Sequence, residues 1–207
     1  MTHQIRKIVI GIDQSYKNTG ISVSADGKIK NISNLRLDCF ENNSERRQKL
    51  KDKLSKVFEK YFLLADKYGA ELIIIIERIR LRSEGFLNID YIKSIGAINS
   101  IIIDCAYEFG IPVYSVDTRA WKSQIIGTSK PQNNSYGIDP KKWPTIKWLI
   151  LQGYEDKLIR PANGRKKKGV IERKGKRFTY DDDAADSACI SLYGFIPLTQ
   201  QKLNKEK

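Results

Sequence analysis

The sequence predicts one α/β domain on a mixed five-stranded sheet, three antiparallel strands followed by two parallel ones, with helices on both faces. Three observations predict it. Two near-continuous apolar runs, residues 5–13 and 72–77, have the composition of strands buried on both faces. An alternating segment and an Asp-Gly turn pair follow the first run, as in a hairpin. Helical spacing fills the stretches between the later strands. At 207 residues the chain is long enough for one substantial core and short for two.

Each element has its own signal. Residues 5–13 (IRKIVIGID) form the first strand and end in Gly-Ile-Asp. Residues 19–25 alternate, with Ile21, Val23 and Ala25 set against Ser22 and Ser24. Asp26-Gly27 turns the chain, and a third strand runs through Ile29, Ile32, Leu35 and Leu37. Asn42-Asn43-Ser44 offers a cap to a helix whose apolar positions, Leu50, Leu54, Val57, Phe58, Tyr61, Leu64 and Ala65, keep helical spacing until Gly69. Residues 72–77 (LIIIIE) are a second buried strand, carrying a carboxylate at its far end. A helix follows over about residues 86–109, then a strand at 112–116, then helical pieces near 118–125 and 141–152. The last helix is expected to begin around Asp181-Asp182-Asp183 and to run to about Gly194.

Charge separates one stretch from the rest. The chain carries Lys+Arg 37 against Asp+Glu 24, a net +13 with a pI near 9.6. Ten of those bases and a single acid, Glu172, lie between Lys157 and Arg177. With Gly164, Gly169 and Gly175 among them and little apolar periodicity, residues 157–180 read as a basic loop or flexible hairpin, and 200–207 as a polar tail. Such a surplus points to a polyanionic partner, nucleic acid or an anionic membrane surface. The runs Arg165-Lys166-Lys167-Lys168 and Arg173-Lys174-Gly175-Lys176-Arg177 have nothing to fix them against base edges, so phosphate contact is expected of them.

Several function classes drop out. No apolar stretch approaches the ~18 residues of a membrane helix. The opening Met-Thr-His-Gln-Ile-Arg-Lys lacks a signal peptide's apolar region, and three distant cysteines, Cys39, Cys105 and Cys189, make neither a disulfide framework nor a zinc knuckle. A reduced, cytoplasmic protein is expected. The single histidine, His3, leaves no room for Ser-His-Asp or Cys-His chemistry.

Carboxylates remain. Asp13 closes the first strand and Glu77 the fourth. If those strands are parallel neighbours, both acids face one crevice at the carboxyl ends of the strands. Asp183 and Asp186, three apart on a helix, share a face and present two more. Taken singly, Asp13 fits a turn, Glu77 a strand end in solvent, and Asp181 and Asp182 a helix N-terminal charge cluster. Asp186 is harder to dismiss, because Ala184, Ala185, Ser187 and Ala188 around it permit close packing against a sheet. Four carboxylates in one dry crevice need counter-charge, and hard Mg²⁺ or Mn²⁺ prefers such oxygens. Two such ions activate a water and stabilise the leaving oxygen of a phosphodiester. A basic protein with an all-carboxylate site reads as a metal-dependent nuclease.

GIDQSYKNTGISV (11–23), IIIIERIRL (73–81) and DDAADSACI (182–190) resemble the three acidic motifs of RuvC-type Holliday junction resolvases, in the RNase H-like superfamily. The resemblance runs from about residue 5 to 193. It implies an RNase H-like fold in a single domain, with Asp13, Glu77, Asp183 and Asp186 as the catalytic acids and ligands of two Mg²⁺ or Mn²⁺ ions, Asp182 taking the place of Asp183 if the helix register slips. It also implies cleavage of four-way and other branched DNA in recombination or repair, leaving a 5′-phosphate and a 3′-hydroxyl. RAWKSQIIG (119–127) and Lys142 resemble the segment whose basic residues lie beside the scissile phosphate, which points to Lys122 and Lys142. A homodimer is expected, because a two-fold junction has two equivalent strands to cut. The helix after Glu77 is also more apolar than one packing face requires.

The sequence departs from the family pattern in three places. Gln14-Ser15-Tyr16 stands where Pro-Gly is usual, which is expected to alter only the turn. Arg80, a candidate DNA contact, stands where an aromatic is usual, with Phe86 as a nearby substitute. The basic stretch before the last helix has the look of an insertion. These departures point to a phage-encoded branch. Two other classes fit in part. G-I-D-Q-S…T-G also resembles the phosphate-binding hairpin of sugar kinases and actin-like ATPases, which need a second such domain and a glycine-rich adenosine motif. A non-catalytic DNA-binding module on a decayed nuclease fold is the other, and the four acids argue against decay.

Overall fold

Strand β1 (Lys7–Asp13), strand β2 (Asn18–Ala25) and strand β3 (Lys28–Arg36) form the antiparallel opening of the sheet. Asp26 and Gly27 both take positive φ, 47° and 75°, the backbone that a two-residue hairpin matching strand twist requires. The Asp26 carboxylate accepts from the backbone N of Arg6 and Lys7, 3.1 Å each, which pins the turn to the start of β1. Strand β4 (Glu71–Glu77) lies parallel to β1, and strand β5 (Val113–Val116) parallel to β4, so the five strands run β3-β2-β1-β4-β5. The computed structural model describes residues 4–15, 17–37, 43–78, 89–162, 169–197 and 203–205.

Both faces of β1 and β4 are covered, which is why neither alternates in polarity. One face, through Ile8, Ile10, Ile74 and Ile76, meets helix α1 (Asn43–Tyr68) and helix α2 (Ile89–Glu108). The other, through Val9, Ile73 and Ile75, meets helix α3 (Thr118–Trp121) and helix α4 (Trp143–Leu151), with a short helix α5 (Glu155–Leu158) and helix α6 (Asp182–Tyr193) beside them. The piece expected as one helix near 118–125 is a single α turn that continues as a π-helical turn, Lys122–Ile126, stopped by Gly127 at φ 79°. The start expected for α2 near residue 86 lies outside the described residues. Among the described residues no helix is long and apolar enough to cross a membrane.

Helix α6 lies closer to the sheet than ordinary side chains allow. A Cβ on Gly11 would stand 2.3 Å from the Ser187 carbonyl oxygen, and one on Gly20 would stand 2.0 Å from that of Asp183. The small residues of α6 are the other half of this fit: Ala184, Ala185, Ser187, Ala188 and Ser191 are buried, and Ser191 shares a 2.6 Å hydrogen bond with Ser24 of β2.

The described part of the basic stretch contains a hairpin, one of the two forms the sequence allows, and that hairpin is built into a sheet; residues 163–168 lie outside the described residues. Strand β6 (Ile159–Pro161), strand β7 (Val170–Arg173) and strand β8 (Lys176–Tyr180) form a second, antiparallel sheet in the order β6-β8-β7. Lys174 and Gly175, at φ 49° and 71°, turn β7 into β8. Ile171 and Tyr180 are buried in the second core beside Leu158, while Glu172, Lys174, Lys176 and Arg177 are exposed. A few apolar residues seat the sheet, and the density of charge conceals their period. The tail expected at 200–207 also contributes structure: strand β9 (Leu203–Lys205) pairs antiparallel with β5 as a sixth strand of the main sheet. It supplies backbone partners to what is otherwise an open sheet edge.

Candidate functional site

The β1·β4 ladder ends at Ile12↔Ile76, so Asp13 and Glu77, the last residues of their strands, stand side by side at the carboxyl edge of the sheet. The close seat of α6 on β1 and β2 brings Asp183 and Asp186 over the same edge. Lys142, one residue before α4, closes the group from the other side. Its Nζ stands 2.9 Å from Asp186 Oδ2, 3.7 Å from Asp182 Oδ2 and 4.0 Å from Asp13 Oδ2. Asp13 and Asp186 are only 7% and 3% exposed. The structure thus gathers Asp13, Glu77, Asp183, Asp186 and Lys142 from β1, β4, α6 and the approach to α4.

Burial and crowding of like charge set the protonation of these groups. Burial, then Asp186, holds the Asp13 carboxyl well above the usual carboxylate range, against the pull of Lys142. The same two causes push Glu77 up to about 7, opposed by Lys142, Lys122 and a hydrogen bond with Asp13. Burial, then Asp182, raises Asp183 to about 7. Burial works against the charge on Lys142, but Asp186, Asp13 and Asp182 outweigh it and hold the ammonium protonated. Among the described residues, Lys142 and Lys122 together supply too little positive charge for so many acids.

Asp186 Oδ1 is buried and has no hydrogen-bond partner. An orphaned carboxylate oxygen beside acids that resist ionisation fits a site for a divalent cation. Asp181, Asp182 and Asp183 also bring carboxylate oxygens within 4.8 Å of one another. Asp181, however, is already committed. Its Oδ1 accepts from Ala184 N, capping α6, and from Asn34 Nδ2, both at 3.0 Å, and its Oδ2 accepts from Arg160 at 3.1 Å. It anchors the helix start, whereas the charge of Asp183 bears on Asp13 and that of Asp186 on Asp183, and Asp182 joins the same group through Lys142 at 3.7 Å.

The other residues singled out in the sequence are placed as follows. Lys122 is buried, stacks its ammonium 5.1 Å from the Trp121 ring centroid and donates to the Lys141 carbonyl at 3.2 Å. Lys174, Lys176 and Arg177 are exposed around the β7–β8 turn. Arg173 is held by Glu155 at 2.5 Å and Asp156 at 3.0 Å, and Tyr180 donates to the same Glu155 at 2.6 Å, which ties the hairpin to α5. Arg80, Arg165, Lys166, Lys167 and Lys168 lie outside the described residues.

Two side chains at this edge were given no part in the site from sequence. The Gln14 carboxamide accepts from Glu77 N at 3.1 Å and donates to the Glu77 carbonyl, and the Thr118 hydroxyl donates to Glu77 Oε1. Gln14 does more than shape a turn. Its signal was the departure from Pro at that position; Thr118 left none, because its partner is 41 residues away.

No family model matches the chain, and none of the curated proteins does. Solved structures do. A Thermus thermophilus RuvC in complex with Holliday junction substrate superposes with a TM-score of 0.52 at 14% identity, covering 90% of this chain and 91% of that one. A second Thermus thermophilus RuvC structure gives 0.52 at 16%, covering 89% and 91%. A yeast mitochondrial Holliday junction resolvase gives 0.47 at 18%, covering 92% and 79%. The strand order, the parallel β1·β4 and β4·β5 pairs and the superposition over nine-tenths of both chains agree: the protein has the RuvC-like fold.

Proposed function

We propose that this chain is a divalent-cation-dependent endonuclease that hydrolyses a phosphodiester in four-way (Holliday) and other branched DNA, during recombination or repair. The observation that carries the reading is the meeting of Asp13, Glu77, Asp183 and Asp186 at one sheet edge, with Asp186 Oδ1 left without a partner, in a protein of net charge +13. The fold shared with a RuvC solved on a Holliday junction supports the substrate class.

Asp13, Glu77, Asp183 and Asp186 would hold Mg²⁺ or Mn²⁺, and two such ions supply an activated water and charge stabilisation at the leaving oxygen. The chain's own groups do the rest. The buried carboxylates of Asp13 and Asp186 and the half-buried ones of Glu77 and Asp183 are held by the sheet and α6 before substrate arrives. The Lys142 ammonium, held at the mouth of the acid group, is placed to pair with a phosphate oxygen. Lys122 supports it through the shared Lys141 segment. Away from the crevice, Lys174, Lys176 and Arg177 grip phosphates without reading bases. Arg80, Arg165, Lys166, Lys167, Lys168 and Arg173 belong to the same proposed DNA-binding set.

A two-fold dimer would present two such edges to the two strands of a junction. Its proposed surface is the half-exposed stripe Ile92, Gly96, Asn99 and Ile103 on α2, where Asn99 Oδ1 is buried without a partner.

The test is cleavage of a labelled four-way junction with Mg²⁺, Mn²⁺, Ca²⁺ or chelator, beside an ATP hydrolysis assay. Asp13→Asn, Glu77→Gln and Asp186→Asn should each slow cleavage by at least about a thousandfold, or ~4 kcal/mol of barrier, with junction affinity nearly intact. Cleavage within tenfold of wild type in any of the three, or ATP turnover in place of cleavage, would sink the reading.

A further inference from the structure

We infer that Gln14 and Thr118 are positioning residues that fix Glu77, Gln14 by extending the β1·β4 ladder with its side chain and Thr118 by engaging one carboxylate oxygen. The inference rests on the nuclease reading for what Glu77 does.

The backbone shows the need. β1 pairs with β4 only as far as Ile12↔Ile76, whereas Asp13 goes on pairing with Gly20 of β2. The β1 side of Glu77 therefore has no backbone rung. A carboxamide carries the same donor and acceptor as a peptide group. Gln14, buried, turns its carboxamide to Glu77 and satisfies both the N–H and the carbonyl. On the other side Glu77 pairs with Val116, and Arg78 N donates to the Val116 carbonyl at 2.7 Å. The Glu77 backbone is thus clasped from both neighbours one residue beyond the point where its ladder with β1 ends.

The side chain needs a separate constraint, because a glutamate at a strand end has three torsions to fix. Thr118 supplies it. It opens α3, whose cap Asp117 accepts from Arg119 N at 2.9 Å, so a capped turn sets the position of the hydroxyl. Donation to Oε1 ties one of the two carboxylate oxygens to α3, while the same carboxyl hydrogen-bonds with Asp13. Preorganisation of this kind acts on the rate of the chemical step and on ligation, not on the grip on DNA.

The experiment uses the full chain with Thr118→Val, Thr118→Ser and Gln14→Leu, and Glu77→Gln as control. Three readouts are taken: junction affinity in Ca²⁺, single-turnover cleavage rate, and calorimetric Mn²⁺ binding without DNA. Thr118→Val and Gln14→Leu should each lose about ten- to a hundredfold in rate with affinity for DNA unchanged, and should bind Mn²⁺ several-fold more weakly. Thr118→Ser, which keeps the hydroxyl, should restore both to within about threefold. If Gln14→Leu fails to fold, the Thr118 pair still decides. Thr118→Val at wild-type rate and Mn²⁺ affinity, or Thr118→Ser as impaired as Thr118→Val, overturns the inference. An active Glu77→Gln overturns instead the nuclease reading beneath it.

Discussion

The acidic crevice and the small basic sheet handle charge in opposite ways. At the crevice, carboxylates from three elements converge where water is scarce, so burial and the charge of Asp186 raise the cost of ionising Asp13, Glu77 and Asp183. That arrangement survives only because Gly11, Gly20 and the small residues of α6 hold helix and sheet in contact too close to relax. On the small sheet, Lys174, Lys176 and Arg177 stand in solvent around a two-residue turn, where like charge is screened and little structure is needed to keep it apart. The first region stores a demand for cations in its packing. The second offers cations to whatever polyanion approaches. Asp181 joins them: it follows β8, caps α6, and takes Arg160 from β6 and Asn34 from β3.

If close packing sustains the crevice, a single methyl should disrupt it more than any change on the small sheet. Gly20→Ala forces a Cβ to within 2.0 Å of the Asp183 carbonyl oxygen, a backbone atom that cannot move alone. It should cost about 1–3 kcal/mol or more, a fall in Tm of at least several degrees by calorimetry, and lower Mn²⁺ affinity in the folded fraction. Wild-type stability in Gly20→Ala would mean that α6 shifts freely and that its seat does not set the site.

Arg160→Met tests the joint between the regions. It removes one partner of a nearly buried carboxylate that keeps two others, so about 1–3 kcal/mol should be lost, with Asn34 and the helix cap limiting the damage. The telling comparison is hydrogen exchange: the first turn of α6 and strand β6 should loosen together. Loosening of β6 alone would show that Asp181 serves the cap and not the joint.

These couplings also explain what the sequence could and could not show. The runs at Ile8–Ile12 and Ile73–Ile76, the Asp26-Gly27 turn and the start of α6 follow local rules of period, turn and cap, and the four acids stand at ends those rules locate. The small sheet escaped because β6 has three residues, β7 four and β8 five, too short to show a period, and the charged stretch Glu172–Arg177 separates the apolar Ile171 of β7 from Phe178 and Tyr180 of β8. The clasp on Glu77 escaped for another reason: Gln14 acts across 63 residues, and no local pattern encodes such a partner.

The crevice should announce its stored charge in the pH dependence of stability without added metal. Glu77 titrates at about 7 in the fold against 4.5 in the free chain, and Asp183 at about 7 against 3.8. A raised acid means that the folded state binds more protons between those values. The stability this gives is fully present below the free-chain value and is lost as pH rises through about 7. In chelator, Tm should therefore fall from about pH 4.5 to 7 and level off. Glu77→Gln should shrink that fall, and Mn²⁺ should raise Tm most at the alkaline end. A Tm that rises steadily over the same window, unchanged by Glu77→Gln, would show that these carboxylates are already compensated by the fold.

The small sheet should behave as the converse, with little effect on the fold and a clear one on binding. Lys174, Lys176 and Arg177 are exposed on a hairpin that is anchored elsewhere, by Arg173 and Tyr180 to α5. Arg177 makes a contact of its own, so replacing the three with serine should cost about 0–1 kcal/mol of stability. On the nuclease reading each phosphate that a residue neutralises contributes roughly 0.9 to the slope of log K against log salt. The triple variant should flatten that slope by about two to three units, weakening all junction sequences alike and leaving the position of the cut unchanged. The salt series matters more than any single affinity, because a loss of binding at one salt concentration cannot distinguish a missing phosphate contact from a distorted site. A slope unchanged in the triple variant would remove this hairpin from the DNA interface. A moved cleavage position with the slope intact would make it a determinant of register instead, and the division of labour between an ion-demanding crevice and an ion-offering sheet would fail at its second half.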